Sequence, residues 1–187
     1  MIGTTITELT AGDLAEISRV VEQDDIVACV EAVGDDNPVR SDAAYAAGTP
    51  FKAPIAPGIH TAGLISAVIG SQLPGPGAID LSQSLTFVKP VKAGDRITAR
   101  VEVIEVIRER NRIRLQTVCA NQHGEDVLSG DAWVMPSRVR VAYEGRPVTA
   151  SALAALALSP QAWAAQAVTL WGMMSLSLLS TGPSRDR

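Results

Sequence analysis

The run Thr61–Gly70, Thr-Ala-Gly-Leu-Ile-Ser-Ala-Val-Ile-Gly, constrains the fold more than any other part of the chain, because it has helical length and is apolar nearly all round. A helix without a polar face has to be covered on most of its surface. The residues that follow supply the cover. From Leu85 the apolar period switches to two: Leu85, Phe87 and Val91 around Lys89-Pro90; Ile97, Ala99, Val101 and Val103; Ile113, Leu115 and Thr117; and Val127 to Met135 read as four strands. Turn chemistry separates them at Lys92-Ala93-Gly94-Asp95, Glu109-Arg110-Asn111 and Gln122-His123-Gly124-Glu125. One buried helix followed by an antiparallel meander predicts an α+β fold in which a sheet wraps the helix.

Upstream, Ala15 to Val21 has strand content, and from Gln23 the apolar residues Ile26, Val27, Val30 and Val33 take helical spacing, with Asp24 and Asp25 in the first turn where the helix dipole favours them. Gly34 stops that helix, and Asp35-Asp36-Asn37-Pro38 is turn chemistry. Ser41 or Asp42 is expected to cap a short helix through Tyr45, ended by Gly48. Leu73-Pro74-Gly75-Pro76-Gly77 is a rigid turn that breaks the apolar helix.

A chain of 187 residues supports one well-buried core, expected over residues 1–145, with an appendage over 146–187. From Pro147 to Ser184 not one charged residue occurs, but Gln161, Gln166, Thr169, Ser175 and Ser177 interrupt the run. Trp163, Ala167, Leu170, Trp171, Met174 and Leu178 share a helical face, which favours an amphipathic helix packing on a partner or an interface over a membrane span.

The net charge of −4 argues against nucleic acid as a partner, since neutralising a phosphate backbone needs clustered Lys and Arg. Cys29 and Cys119 form no CxxC pair, and only His60 and His123 are available, so neither a disulfide framework nor a His-rich metal site is expected. Cys29 reads as buried apolar filler and His123 as a surface turn residue. The opening residues contain no signal-peptide core, which makes the cytoplasm the expected location, with a peripheral attachment to a membrane or granule left open by the C-terminal helix.

The order Gly34-Asp35-Asp36-Asn37-Pro38-Val39-Arg40-Ser41-Asp42 resembles the signature Gly-Asp-x-Asn-Pro-aliphatic-His-x-Asp of the MaoC-like R-specific enoyl-CoA hydratases, and differs from it only at Arg40. Phe51-Lys52-Ala53-Pro54-Ile55-Ala56-Pro57-Gly58-Ile59 is similar to the family's Phe-x-x-Pro-Ile-Ala-His-Gly-Met block, and Leu73 to Gly77, Leu81 to Leu85, Phe87, Pro90, Val91, Gly94 and Asp95 continue in step. The resemblance implies a hot-dog fold, usually a homodimer, acting as a hydro-lyase on an acyl thioester of CoA or acyl carrier protein, with no cofactor beyond that carrier.

It also implies roles. Asp35 would activate water, Asn37 would fix the loop or bind that water, and Gly58 would present a backbone N–H to the thioester oxygen. Ser82 and Gln83 would contact substrate. Arg40 stands at the position of the catalytic His; an arginine stays protonated, so it can stabilise an oxyanion but is a poor proton shuttle. Pro57 replaces a second His, Asp80 stands where an uncharged residue is common, and His60, three positions after Pro57, is a candidate replacement imidazole. Two plainer readings stand beside these: Asp35 as a turn acid, and Arg40 in a solvated pair with Asp36 or Asp42. The alternative function is a degenerate hot-dog binding or dimerisation module, held on a partner, membrane or granule by its C-terminal helix.

Overall fold

In the computed structural model, residues 1–144 are described; the expected C-terminal helix and its Trp163/Trp171 face lie outside the described residues. The predicted core helix is α4, Gly58–Ser71, which buries Thr61, Ala62, Leu64, Ile65, Val68 and Ile69. Around it stands a five-stranded antiparallel sheet of β2 (Leu14–Val20), β3 (Ile79–Phe87), β4 (Arg96–Ile107), β5 (Arg112–Ala120) and β6 (Asp126–Met135), in the order β2-β4-β5-β6-β3. This is the hot-dog fold. The inward residues are those of the period-two reading: Ile97, Ala99, Val101 and Val103 on β4, and Ile113, Leu115 and Thr117 on β5, are all buried, and Cys119 extends the β5 row.

Only β4, β5 and β6 form the expected meander. The third strand begins at Ile79 rather than near Leu85, and it lies beside β6 at the sheet edge, so Lys92–Asp95 is not a hairpin between β3 and β4. That turn instead docks on the end of β2: Gly94 N–H donates to Val21 O at 2.8 Å, and Val21 N–H to Asp95 O at 2.9 Å. A second small sheet, absent from the sequence reading, pairs β1 (Ile2–Gly3) with β7 (Val141–Ala142).

Three short helices precede α4. Helix α1 runs Gln23–Val33 and ends at Gly34 in the left-handed conformation (φ 68°), which suits glycine. Helix α2, Pro38–Ser41, replaces what the sequence suggested was turn alone: Asn37 Oδ1 accepts the Val39 N–H, and Pro38 occupies the first turn, where its missing N–H costs nothing. Helix α3, Ala43–Gly48, is capped by Asp42 rather than Ser41, through Tyr45 N–H at 2.9 Å. Cys29 on α1 is half-buried rather than core, and His123 is exposed.

Candidate active site

The signature loop folds back on itself. Asp35 Oδ1 accepts the Asn37 N–H at 3.2 Å, and Asp35 Oδ2 accepts the Arg40 Nε–H at 3.2 Å. The other end of the guanidinium reaches the segment leading into α4, where Arg40 Nη1 donates to Ala56 O at 3.0 Å and to Ile55 O at 3.4 Å. Both partners of the ion pair are largely covered, with side-chain exposures of 18% for Arg40 and 27% for Asp35. Arg40 is therefore committed to Asp35, not to Asp36 or Asp42 in a solvated loop. Asn37 uses its side-chain oxygen to cap α2, which fixes the loop.

Arg40 forms part of the wall of a cavity of about 690 Å³ between the start of α4 and the ends of β3 and β6. Phe51, Ile55, Ile59, Leu85, Phe87 and Val127 make most of that wall apolar, and Gly58, Thr61 and Lys89 also line it. Helix α4 starts with no side-chain cap after Pro57. Its first-turn N–H groups carry the positive end of the helix dipole, so an oxygen acquiring negative charge is favoured there. The Phe87 ring lies over Gly58: a Cβ at that position would meet ring atoms at 2.7 Å. Lys89, at the rim, pairs with Glu125 at 2.5 Å, and this hydrogen bond, helped by Asn121, holds the Glu125 carboxyl below its ordinary range.

Arg40 and Gly58 thus line the cavity, and Asp35, which is not part of its wall, is tied to it through the bond to Arg40. His60 does not join the wall. Residues on an α-helix advance by about 100°, so His60 is rotated about 200° from Gly58, away from the face that carries Gly58 and Thr61. His60 is half-buried, with Nδ1 sealed and without a hydrogen-bond partner among the described residues. Ser82 and Gln83 also stand elsewhere. A β-bulge between Asp80 and Ser82 breaks the β3 register, Ser82 lines a separate depression with Arg110, Arg112 and Trp133, and Gln83 Nε2 donates to Asp80 at 3.1 Å. Thr61 and Phe87 were not singled out as site residues from the sequence. The available signal for Thr61 was a lone hydroxyl one turn beyond Gly58 on an apolar stripe. Among the described residues no three His, Cys, Asp or Glu side chains stand together to hold a metal.

Residues 8–123 match the model of the MaoC like domain family. The chain is 45% identical over 127 residues to a 3-hydroxybutyryl-CoA dehydratase of Methylorubrum extorquens, covering 68% of this chain and 80% of that protein. It is 39% identical over 132 residues to an R-specific enoyl-CoA hydratase of Rhodospirillum rubrum, covering 70% and 91%. Among solved structures, the unliganded R-hydratase PhaJ1 of Pseudomonas aeruginosa superposes with a TM-score of 0.73 at 39% identity, over 79% of this chain and 97% of that one.

Proposed function

Because the chain belongs to the MaoC-like domain family, we propose that it adds water reversibly to trans-2-enoyl thioesters of CoA or acyl carrier protein, giving R-3-hydroxyacyl thioesters, with Arg40 in place of the family's imidazole. The observation that carries this reading is the Asp35–Arg40 pair, held at 3.2 Å against an apolar cavity that ends at the uncapped start of α4.

The thioester oxygen takes the Gly58 N–H, where the helix dipole stabilises enolate charge. Water attacks the β-carbon as its proton passes to Asp35, and the π electrons move onto the thioester oxygen. The proton then returns from Asp35 to the α-carbon, so one carboxylate serves both transfers and the sum is addition of one water. Arg40 cannot shuttle a proton near neutrality; it aims the Asp35 carboxylate and sets a fixed positive charge at the cavity wall. A homodimer fits the same reading, since β3 is an edge strand that leaves Ile79 and Leu81 exposed, and a second copy paired there would cover them.

One feature favours a second reading. No imidazole stands in the cavity wall, which suits a module that binds an acyl thioester without turning it over. Loss of enoyl absorbance with crotonyl-CoA and a longer trans-2-enoyl-CoA separates the two. Turnover that disappears in Asp35→Ala supports the enzyme; turnover seen only in Arg40→His would sink it and leave the binding module.

A further inference from the structure

Thr61 has 3% of its surface exposed, yet it lines the cavity. A threonine inside a helix commonly returns its hydroxyl to the carbonyl four residues back. Here that carbonyl, Pro57 O, accepts the His60 N–H at 3.0 Å, and the Thr61 hydroxyl makes no hydrogen bond among the described residues. Thr117 is a useful contrast: its Oγ1 is sealed in the core without a partner, whereas Thr61 Oγ1 is not among the sealed atoms, so its hydroxyl opens on the cavity. Apart from Arg40 and the rim lysine, it is the polar side chain in an otherwise apolar wall.

We propose that Thr61 is a positioning residue for the oxygen at the β-carbon: its hydroxyl holds the attacking water in hydration and the 3-hydroxyl group in the reverse direction. This rests on the hydratase reading above and assigns it a third point of substrate contact. Gly58 and Thr61 share a face of α4 and are separated by about 4.5 Å along its axis. A thioester oxygen and an oxygen on the β-carbon of the same acyl group are separated by a distance of that order. With the first on the Gly58 N–H, the second comes to Thr61. Of the two water protons, one leaves for Asp35 and the other stays on the oxygen, donated to Thr61 Oγ. Thr61 gains and loses no proton, and the product hydroxyl keeps the same hydrogen bond.

The test uses two probes that differ only in the 3-oxygen, butyryl-CoA and R-3-hydroxybutyryl-CoA, titrated calorimetrically in an Asp35→Asn background so that neither turns over. Thr61→Val should leave butyryl-CoA affinity unchanged and weaken R-3-hydroxybutyryl-CoA roughly 2- to 10-fold, the loss of one hydrogen bond, while Thr61→Ser should keep both. In the chain with Asp35 intact, Thr61→Val should lower kcat with little change in KM. Equal effects on the two probes, or none on either, would overturn the role of Thr61. A wild-type chain without turnover would instead overturn the hydratase reading, and the difference between the probes would still report on Thr61.

Discussion

The sheet around α4 and the segment from Gly34 to Gly58 are held by different forces. The sheet is fixed by alternation: on β5, and on β4 as far as Val103, every second residue is buried, and together with Ile65, Val68 and Ile69 of α4 these side chains form one continuous core. The signature segment has few buried side chains of its own, Val39, Ala46, Ile55 and Ala56 among them, and is held by directed polar bonds. Arg40 reaches the carbonyls of Ile55 and Ala56, and Lys92 Nζ donates to Phe51 O at 2.8 Å. Apolar burial is non-directional and tolerant, whereas these bonds set the place of individual atoms. One region supplies stability and the other supplies geometry, so substitutions in them should separate the two properties.

The sharpest break is Asp35→Asn. It removes the proposed proton carrier without changing side-chain size, and hydration should fall roughly 100- to 10,000-fold while the unfolding midpoint moves little, as read by stopped assay and thermal melt on the same preparation. The converse is Leu115→Ala, in the fully buried middle of β5. It should cost about 2–5 kcal/mol in a urea titration, with the kinetic constants of the remaining folded protein unchanged. A Leu115→Ala protein of normal stability but altered KM would show that the two regions are not separable.

Arg40→Ala tests the join between them. It removes the bonds to Asp35, Ile55 and Ala56 together, and should lower stability by about 1–3 kcal/mol and reduce turnover as well. Arg40→His would sharpen this, since it returns an imidazole to the signature but gives up the reach to both carbonyls.

The smallest effect concerns the thiols. Burial raises the Cys119 pKa from its ordinary 9.0 to about 12, and its Sγ lies 3.7 Å from Thr61 O. Because the folded value is the higher one, the protonated thiol's contribution to stability is complete below pH 9.0 and is lost as pH rises toward 12. At mildly alkaline pH a maleimide should therefore label the half-buried Cys29 and spare Cys119 until the protein unfolds, with mass spectrometry of the labelled peptides as the readout.

Legibility followed the same division. The apolar run of α4 and the alternation of β4, β5 and β6 could be read because burial is written into residue type at a fixed period. The placement of β3 beside β6 could not, since a strand that pairs across many residues leaves no local mark of its neighbour. In the site, the motif order placed Arg40 and Gly58 in one cavity wall and paired Asp35 with Arg40. The carbonyls that hold Arg40 carry no side-chain signature, and the bulge at Asp80/Ser82, which interrupts the strand's register, is not announced by Leu81-Ser82-Gln83. His60 shows the limit of counting positions: a helical spacing of three from Pro57 says which residues share a face, but not which face looks into the cavity.

The aromatic ring resting on Gly58 bears on how fast a ligand arrives rather than on how tightly it is held. Phe87 is 54% exposed, so its ring can swing outward, a rearrangement that for surface side chains takes picoseconds to nanoseconds. Such a shutter does not limit association, which is slower by orders of magnitude. It shields the α4 terminus between visits and yields to the first acyl group that competes for the place. Glycine at 58 lets that shutter close fully; a methyl there would leave the helix intact and hold the ring permanently ajar.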